Sequence, residues 1–240
     1  MTGLTETVLA GLREPTWRTM PAEPPDWFMA EYPKIQSLYK RGPGGEMLLG
    51  QWSTPELEWL RDCEWLWTEK VDGTNVRIGW DPAAGSVRVG GRTDRAQMPP
   101  ALLKAFSEMN LLATLGRSAL PRATIYGEGY GAGIQKGGGD YGQPSFIVFD
   151  VVIDGWWLSM GDAQDVADKL GLECVPVVGT GTLGEMEEAV RLGVYSELTA
   201  ARKMAEGLVA RTLPGLRDRR GRPVLTKIRA RDLEGPDALK

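Results

Sequence analysis

The chain changes hydrophobic period several times, and each change marks an element. Three β-rich runs come first: Trp65 to Val71, Asn75 to Trp80 and Ser86 to Gly91. Asp72-Gly73 and Asp81-Pro82-Ala83-Ala84-Gly85 separate them. Both separators are turn signals, so the pattern predicts an antiparallel meander in which Asp72-Gly73 closes a hairpin. The period then lengthens. Leu102, Phe106, Met109 and Ala113 keep helical spacing between Pro99-Pro100 and Gly116, which predicts one helix. Strands over Ala123 to Glu128 and Ser145 to Ile153 flank a glycine-rich run from Gly129 to Gly139, expected to be a mobile loop that touches substrate.

Two capped helices follow. Ser159 and Asp162 introduce one over about Gly161 to Leu170, with Gly171 as its stop; Thr182 and Glu185 introduce another over Leu183 to Leu192, closed by Gly193. Strands return at Gly207 to Thr212 and Pro223 to Ala230. Hairpins with interspersed helices give an α+β chain rather than a doubly wound parallel sheet. Residues 1 to 60 read as an N-terminal extension and 61 to 240 as the main domain. Pro15, Pro21, Pro24, Pro25 and Pro33 break any long helix early in the extension, while Trp17, Trp27 and Phe28 predict that it packs on the body. Lys34 to Arg41 is a short extended stretch ending in two cations. Its pattern suits an exposed edge strand, and contact with substrate phosphates is the functional alternative.

Composition narrows the chemistry. The 240 residues are 42% hydrophobic and 25% charged, ordinary for a soluble globular chain, and contain no histidine. Triads and zinc sites that require an imidazole are therefore excluded, and catalysis must rest on Lys, Arg, Asp, Glu or a bound metal. Cys63 and Cys174 form neither a zinc spacing nor a disulfide framework and read as small packed hydrophobes. No run is long and apolar enough to span a membrane, nor does the start resemble a signal peptide, so a cytoplasmic monomer is expected. The net charge is only −4, yet residues 202 to 231 hold ten basic residues against Glu206 and Asp218, a net +8 suited to phosphate partners. A solvated basic face is the plainer explanation of the same run.

Lys70 is the candidate nucleophile. It ends an apolar strand pattern and is followed at once by Val71-Asp72-Gly73-Thr74-Asn75. A lysine is protonated near neutral pH and must shed a proton to attack, a step that neighbouring cations or a metal favour. Lys227 and Arg229 sit two apart on one strand and so can reach one phosphate. Glu128 and Glu206 carry the oxygen ligands that Mg²⁺ or Mn²⁺ prefer. Phe149 is an aromatic ring of the kind that stacks on bases, although alternation leaves Phe146 as an equal candidate.

Five strings in order resemble the collinear motifs of the covalent nucleotidyltransferases, the ATP-dependent DNA and RNA ligases and mRNA capping enzymes, with phage-type RNA ligases the most similar. They are Lys70-Val71-Asp72-Gly73, Tyr126-Gly127-Glu128-Gly129, Phe146 to Asp150, Glu206-Gly207-Leu208-Val209 and Lys227-Ile228-Arg229, with Arg92 after the first. The resemblance implies an antiparallel-sheet nucleotidyltransferase domain with flanking helices, ATP-grasp-like, and an ATP-dependent RNA ligase active in RNA repair. AMP would be carried covalently on Lys70, and RNA ends bearing 5′-phosphate and 3′-hydroxyl would be joined. It also implies that Glu69 accepts a hydrogen bond from the adenine amino group, Val209 covers the base opposite Phe149, and Arg92 holds ribose or phosphate. Asn75 would position the end to be sealed, and Asp72 belongs to the catalytic set without an individual role. Two departures stand out. Arg229 replaces the second lysine usual in the last motif, and the eleven residues after it are too few for a C-terminal OB domain. A small DNA ligase, or a non-catalytic RNA-binding protein of this fold, remains an alternative.

Overall fold

A computed structural model describes residues 25–233. Trp17, Pro15, Pro21, Pro24 and the last residues after 233 lie outside the described range.

Two β-sheets form the body, and the strands on either side of Asp72-Gly73 belong to different ones. The first sheet has the order β1 (Gln36–Ser37), β13 (Leu225–Arg229), β12 (Gly207–Thr212), β4 (Trp65–Glu69), β11 (Val177–Gly181). The second runs β10 (Glu173–Cys174), β8 (Ser145–Ile153), β7 (Ala123–Tyr130), β5 (Thr74–Asp81), β6 (Ser86–Gly91), with β9 (Trp156–Trp157) on β8. A separate pair joins β2 (Tyr39–Arg41) to β3 (Met47–Trp52). Most pairings are antiparallel; β1 on β13 and β10 on β8 are parallel. This corrects the expected meander. Of its three strands β5 and β6 alone pair as a hairpin, whereas β4 pairs with β11 and β12, and residues 70 to 73 cross from one sheet to the other. Period alone shows that both runs are strands but cannot show which partner each finds.

The outer faces are covered by helices. Leu102, Phe106, Leu111, Leu115, Val166 and Leu170 of α2 (Pro100–Glu108), α3 (Leu111–Arg117) and α4 (Met160–Leu170) bury Val76, Ile78, Phe146, Val148 and Val151 of the second sheet. Leu183, Met186 and Val190 of α5 (Leu183–Leu192), with Leu57 of α1 (Pro55–Trp59), cover Trp65, Trp67, Leu208 and Ile228 of the first. A short helix, α6 (Ala230–Leu233), follows β13 directly. The caps read from sequence are present. Asp162 N–H donates to Ser159 Oγ, Thr182 and Glu185 form a reciprocal capping box, and Gly171 ends α4 in the left-handed region. The single helix expected over residues 100 to 116 is two, because Asn110 adopts φ 47° and breaks the hydrogen-bond ladder. Asparagine tolerates that conformation better than most residues, a local effect the apolar spacing cannot report.

The N-terminal segment packs on both sheets. Phe28 is buried, Trp27 packs beside Tyr32, Tyr126 and Val152, and Leu38 and Tyr39 enter the core under the first sheet. Cys63, expected to be packed, is exposed in the turn between α1 and β4. Among the described residues no helix is long and apolar enough to cross a membrane.

One irregularity aims a side chain at the space between the sheets. Along β7 and β8, Gly127 pairs with Val148 but Tyr126 pairs with Asp150, so Phe149 has no partner. This is a β-bulge, and such a bulge turns the strand and re-aims its side chain. Phe146 stays in the helix-covered core, 5.5 Å from the ring of Phe106, while Phe149 faces the other way. Gly127 is required opposite: a Cβ there would lie 2.2 Å from the Ile147 carbonyl oxygen. Gly127→Ala is therefore expected to destabilise the chain by about 1–3 kcal/mol, the usual cost of overpacking, with the denaturation midpoint as the measure. An unchanged midpoint would show that the bulge relaxes freely.

Candidate active site

The cleft between the sheets, about 250 Å³, is walled on one side by Thr68, Glu69, Val209, Arg211 and Lys227 and on the other by Asn75, Glu128, Phe149 and Asp150. Lys70 and Val71 lie on its seam, and Arg92, just after β6, stands at an exposed corner. Eight residues singled out from the sequence thus meet in one place: Glu69, Lys70, Asn75, Arg92, Glu128, Phe149, Val209 and Lys227. Strand register explains the arrangement. Val209 lies between Thr68 of β4 and Lys227 of β13, and Asn75 of β5 lies opposite Glu128 of β7.

Lys70 is held by the first sheet. Its N–H donates to the carbonyl of Gly207 at 2.9 Å, and its Nζ meets Glu206 Oε2 at 2.5 Å. Both side chains are mostly covered, with 20% and 16% exposure, so the pair is stronger than a surface contact and fixes the amine in one position. Three residues on, Gly73 presses against β7, where a Cβ would lie 2.3 Å from the Gly129 carbonyl oxygen. The glycine-rich run closes over this crossing. Gln135 Nε2 donates to the Gly73 carbonyl, and the Asp72 N–H donates to the Tyr141 hydroxyl at 3.2 Å.

The remaining charges divide by partner. Glu69 is buried; its carboxylate accepts from Ser196 Oγ at 2.6 Å and from the Glu197 N–H at 3.0 Å, and burial pushes its pKa up against those bonds. Each oxygen keeps a lone pair for a further donor. Asn75 Oδ1 is buried without a partner on the cleft wall, an acceptor that a ligand donor would satisfy. Burial, then the charges of Lys70, Arg229 and Arg92, lower the pKa of Lys227. Three of the expected residues lie outside the cleft wall. Glu206 sits behind Lys70, Asp72 sits under the glycine-rich run, and Arg229 turns to Asp232, donating through Nε and Nη2 at 2.9 and 2.7 Å.

The basic run between residues 202 and 231 is less free than its composition implies. Arg211 is buried against Asp150 at 2.9 Å, Arg222 binds Asp218, Lys203 binds Asp140, and Arg229 binds Asp232. Sequence reasoning missed Tyr32, Thr68, Asp150 and Arg211 as cleft residues, while Lys34, from the stretch offered as a phosphate contact, does line the cleft. Tyr32 donates to Asp150 Oδ2 at 2.5 Å and its ring lies 4.8 Å from Phe149. The aromatic content of the N-terminal segment was the one sequence sign of this contact.

The donor set fits a divalent ion bound mainly through substrate. Among the described residues no group of three or more His, Cys, Asp or Glu side chains could hold a metal. Glu128 faces the cleft and Glu206 is taken by Lys70, so the chain supplies one or two carboxylates. Mg²⁺ characteristically binds that way, completing its shell with phosphate and water.

Solved structures of another protein share the fold. Naegleria gruberi RNA ligase superposes with TM-scores of 0.57 in a variant with AMP and Mn and 0.56 in one with ATP and Mn. Identity is 18% and 17%, covering 84% of this chain and 58% of that one in both. The form with PPi gives 0.57 at 19% identity, over 82% of this chain and 61% of the other. The chain thus spans about three fifths of the length of these ligases. The likeness shows a fold shared with an RNA ligase. A family model described as RNA ligase matches residues 63–228, well over half of the sequence. The chain belongs to the RNA ligase family. A search of curated proteins finds no match.

Burial pushes Glu128 from 4.5 up to about 8, with Lys70 opposing and Glu206 and Asp72 adding to the rise. The folded chain therefore holds a proton that the unfolded chain releases near its ordinary value, and stability falls as pH rises through that window. Metal-free protein is expected to lose about 1–3 kcal/mol between about pH 5 and pH 8, partial exposure keeping the loss below the full shift. Glu128→Gln should remove that part of the pH dependence. Denaturation midpoints for the two chains across that range measure it, and parallel curves would show that Glu128 ionises normally.

Proposed function

We infer that this chain is an ATP-dependent RNA ligase that joins 5′-phosphate and 3′-hydroxyl ends through an adenylate on Lys70. The observation that carries the reading is the placement of Lys70. Its amine is pinned by Glu206 at the seam of a cleft that also holds Phe149, Val209, Lys227, Glu128 and the unsatisfied Asn75, in a chain of the RNA ligase family. The ATP, AMP and Mn of the Naegleria structures support the choice of nucleotide and of a divalent ion.

In this reading Lys70 Nζ attacks the α-phosphorus of ATP. An N–P bond forms, the bond to pyrophosphate breaks, and the amine proton passes to Glu206 Oε2. Lys227 lies beside the attacked phosphate and stabilises the charge that builds on its oxygens. Phe149 and Val209 enclose the base, and Glu69 accepts from its amino group. Glu128 would hold Mg²⁺ or Mn²⁺ together with substrate oxygens, and the ion neutralises phosphate charge when bound; Glu206, the other expected metal ligand, is engaged by Lys70 and serves as the proton acceptor instead. AMP then passes to the RNA 5′-phosphate, and the 3′-hydroxyl displaces it, with Asn75 orienting the end and Arg92 gripping ribose or phosphate. Arg229 acts at one remove, through Asp232 and the field around Lys227. Most of the protein's contribution is positioning and charge stabilisation.

Labelled ATP with Mg²⁺ or Mn²⁺ should leave a denaturation-resistant label on the chain. Lys70→Ala should abolish it, and Lys227→Ala should slow its formation by about 10²–10³-fold. An unlabelled wild-type chain would end the enzyme reading. Faster sealing of nicked DNA than of nicked RNA would replace RNA with DNA as the substrate.

A further inference from the structure

A second groove opens beside the cleft and is not used by the chemistry above. It encloses about 520 Å³ between the extended Lys34 to Arg41 stretch and β13, and shares Lys34, Ile35 and Lys227 with the nucleotide cleft. Five cations line it, Lys34, Lys40, Arg41, Lys227 and Arg229, and among the described residues no carboxylate does. Among the described residues the one carboxylate ion-paired with a lining cation is Asp232, which binds both Arg41 and Arg229; Glu206, engaged by Lys70, adds its charge near Lys227 and Arg229. Burial works against ionisation of Asp232, but hydrogen bonds from Arg229 and Arg41 keep its pKa below the ordinary range. One buried carboxylate thus fixes two guanidinium groups and neutralises only one of them. The three lysines make no ion pair among the described residues.

We propose that this groove holds the sugar-phosphate backbone of an RNA strand and leads its end to the Lys70 cleft. The proposal rests on the ligase reading for its direction, since the shared Lys227 and Lys34 join the two spaces. Several phosphates fit the observations better than the pyrophosphate part of ATP. Lys34 and Arg41 are seven residues apart, up to about 23 Å at the rise of a strand, so cations lie at both ends of that distance. A run of unpaired lysines with no facing acid is the electrostatic pattern expected for a polyanion that is tracked rather than read.

The test is equilibrium binding of 5′-phosphorylated single-stranded RNA to the full chain over a range of salt. The variants are Lys40→Gln and the double variant Lys40→Gln with Arg41→Gln. Both side chains lie outside the nucleotide cleft. RNA affinity should fall several-fold at low salt, and the slope of log affinity against log salt should shrink by about 0.7 for each cation removed. Labelling of Lys70 by ATP should be unchanged in Lys40→Gln. Unaltered affinity and slope would overturn the proposal. A higher ATP requirement for labelling, with RNA binding intact, would also overturn it and assign the groove to the nucleotide's own phosphates. Salt-dependent RNA binding that weakens in Lys40→Gln, in a wild-type chain that ATP never labels, would keep the groove and discard the ligase reading. Removing Arg41 disturbs the contact with Asp232. Lys40→Gln, at an exposed position, decides the question alone if the double variant melts early.

Discussion

The site depends on one crossing of the backbone. Residues 70 to 73 leave the first sheet and enter the second. Lys70 is tied to the first by the Gly207 carbonyl, and Gly73 is pressed on the second against Gly129. A hairpin would have turned Lys70 along a sheet edge. A crossing instead leaves it in the gap between two walls, where groups from both can converge on its amine. Bonds from Gln135 and Tyr141 add a clamp over the crossing, so the glycine-rich run serves the nucleophile's position.

Buried charge pairs reinforce the same seam. Glu206 meets Lys70, and Arg211 reaches from the first sheet to Asp150 of the second. Such pairs cost desolvation energy, and leaving either partner alone is more costly still, so they define relative position more than they add stability. Tyr32 extends the Asp150 pair to the N-terminal segment and places its ring against Phe149. Residues 32 to 35 therefore belong to the cleft wall.

Much of this was legible in the residues. The strand and helix periods, both capped helices and the alternation that puts Lys227 on one face of β13 are local properties, and local sequence carries them. The ordered motif strings and the residues beside them supply eight of the side chains that line the cleft. The failures share a cause. A turn signal at Asp72-Gly73 says that the chain bends but not to which sheet it goes, and apolar spacing over α2 and α3 is blind to the backbone of Asn110. The paired charges of Arg211 and Arg229 looked free because their partners, Asp150 in another sheet and Asp232 in a following helix, are recognised only in space.

The sequence by itself determined the residue types of the site and the elements that carry them, because period, capping and turn chemistry act over a few residues. The tertiary structure alone decided which of those residues face one another. Phe149 rather than Phe146 enters the cleft because a bulge in β8 interrupts alternation opposite Gly127. Tyr32, Asp150 and Arg211 join it because the N-terminal segment and two sheets pack together. Lys34, Lys40 and Arg41 become one basic groove with Lys227 and Arg229 because β1 pairs with β13 nearly two hundred residues later in the chain. Pairing over that distance is settled by the burial and hydrogen bonding of the whole fold, which no local pattern encodes.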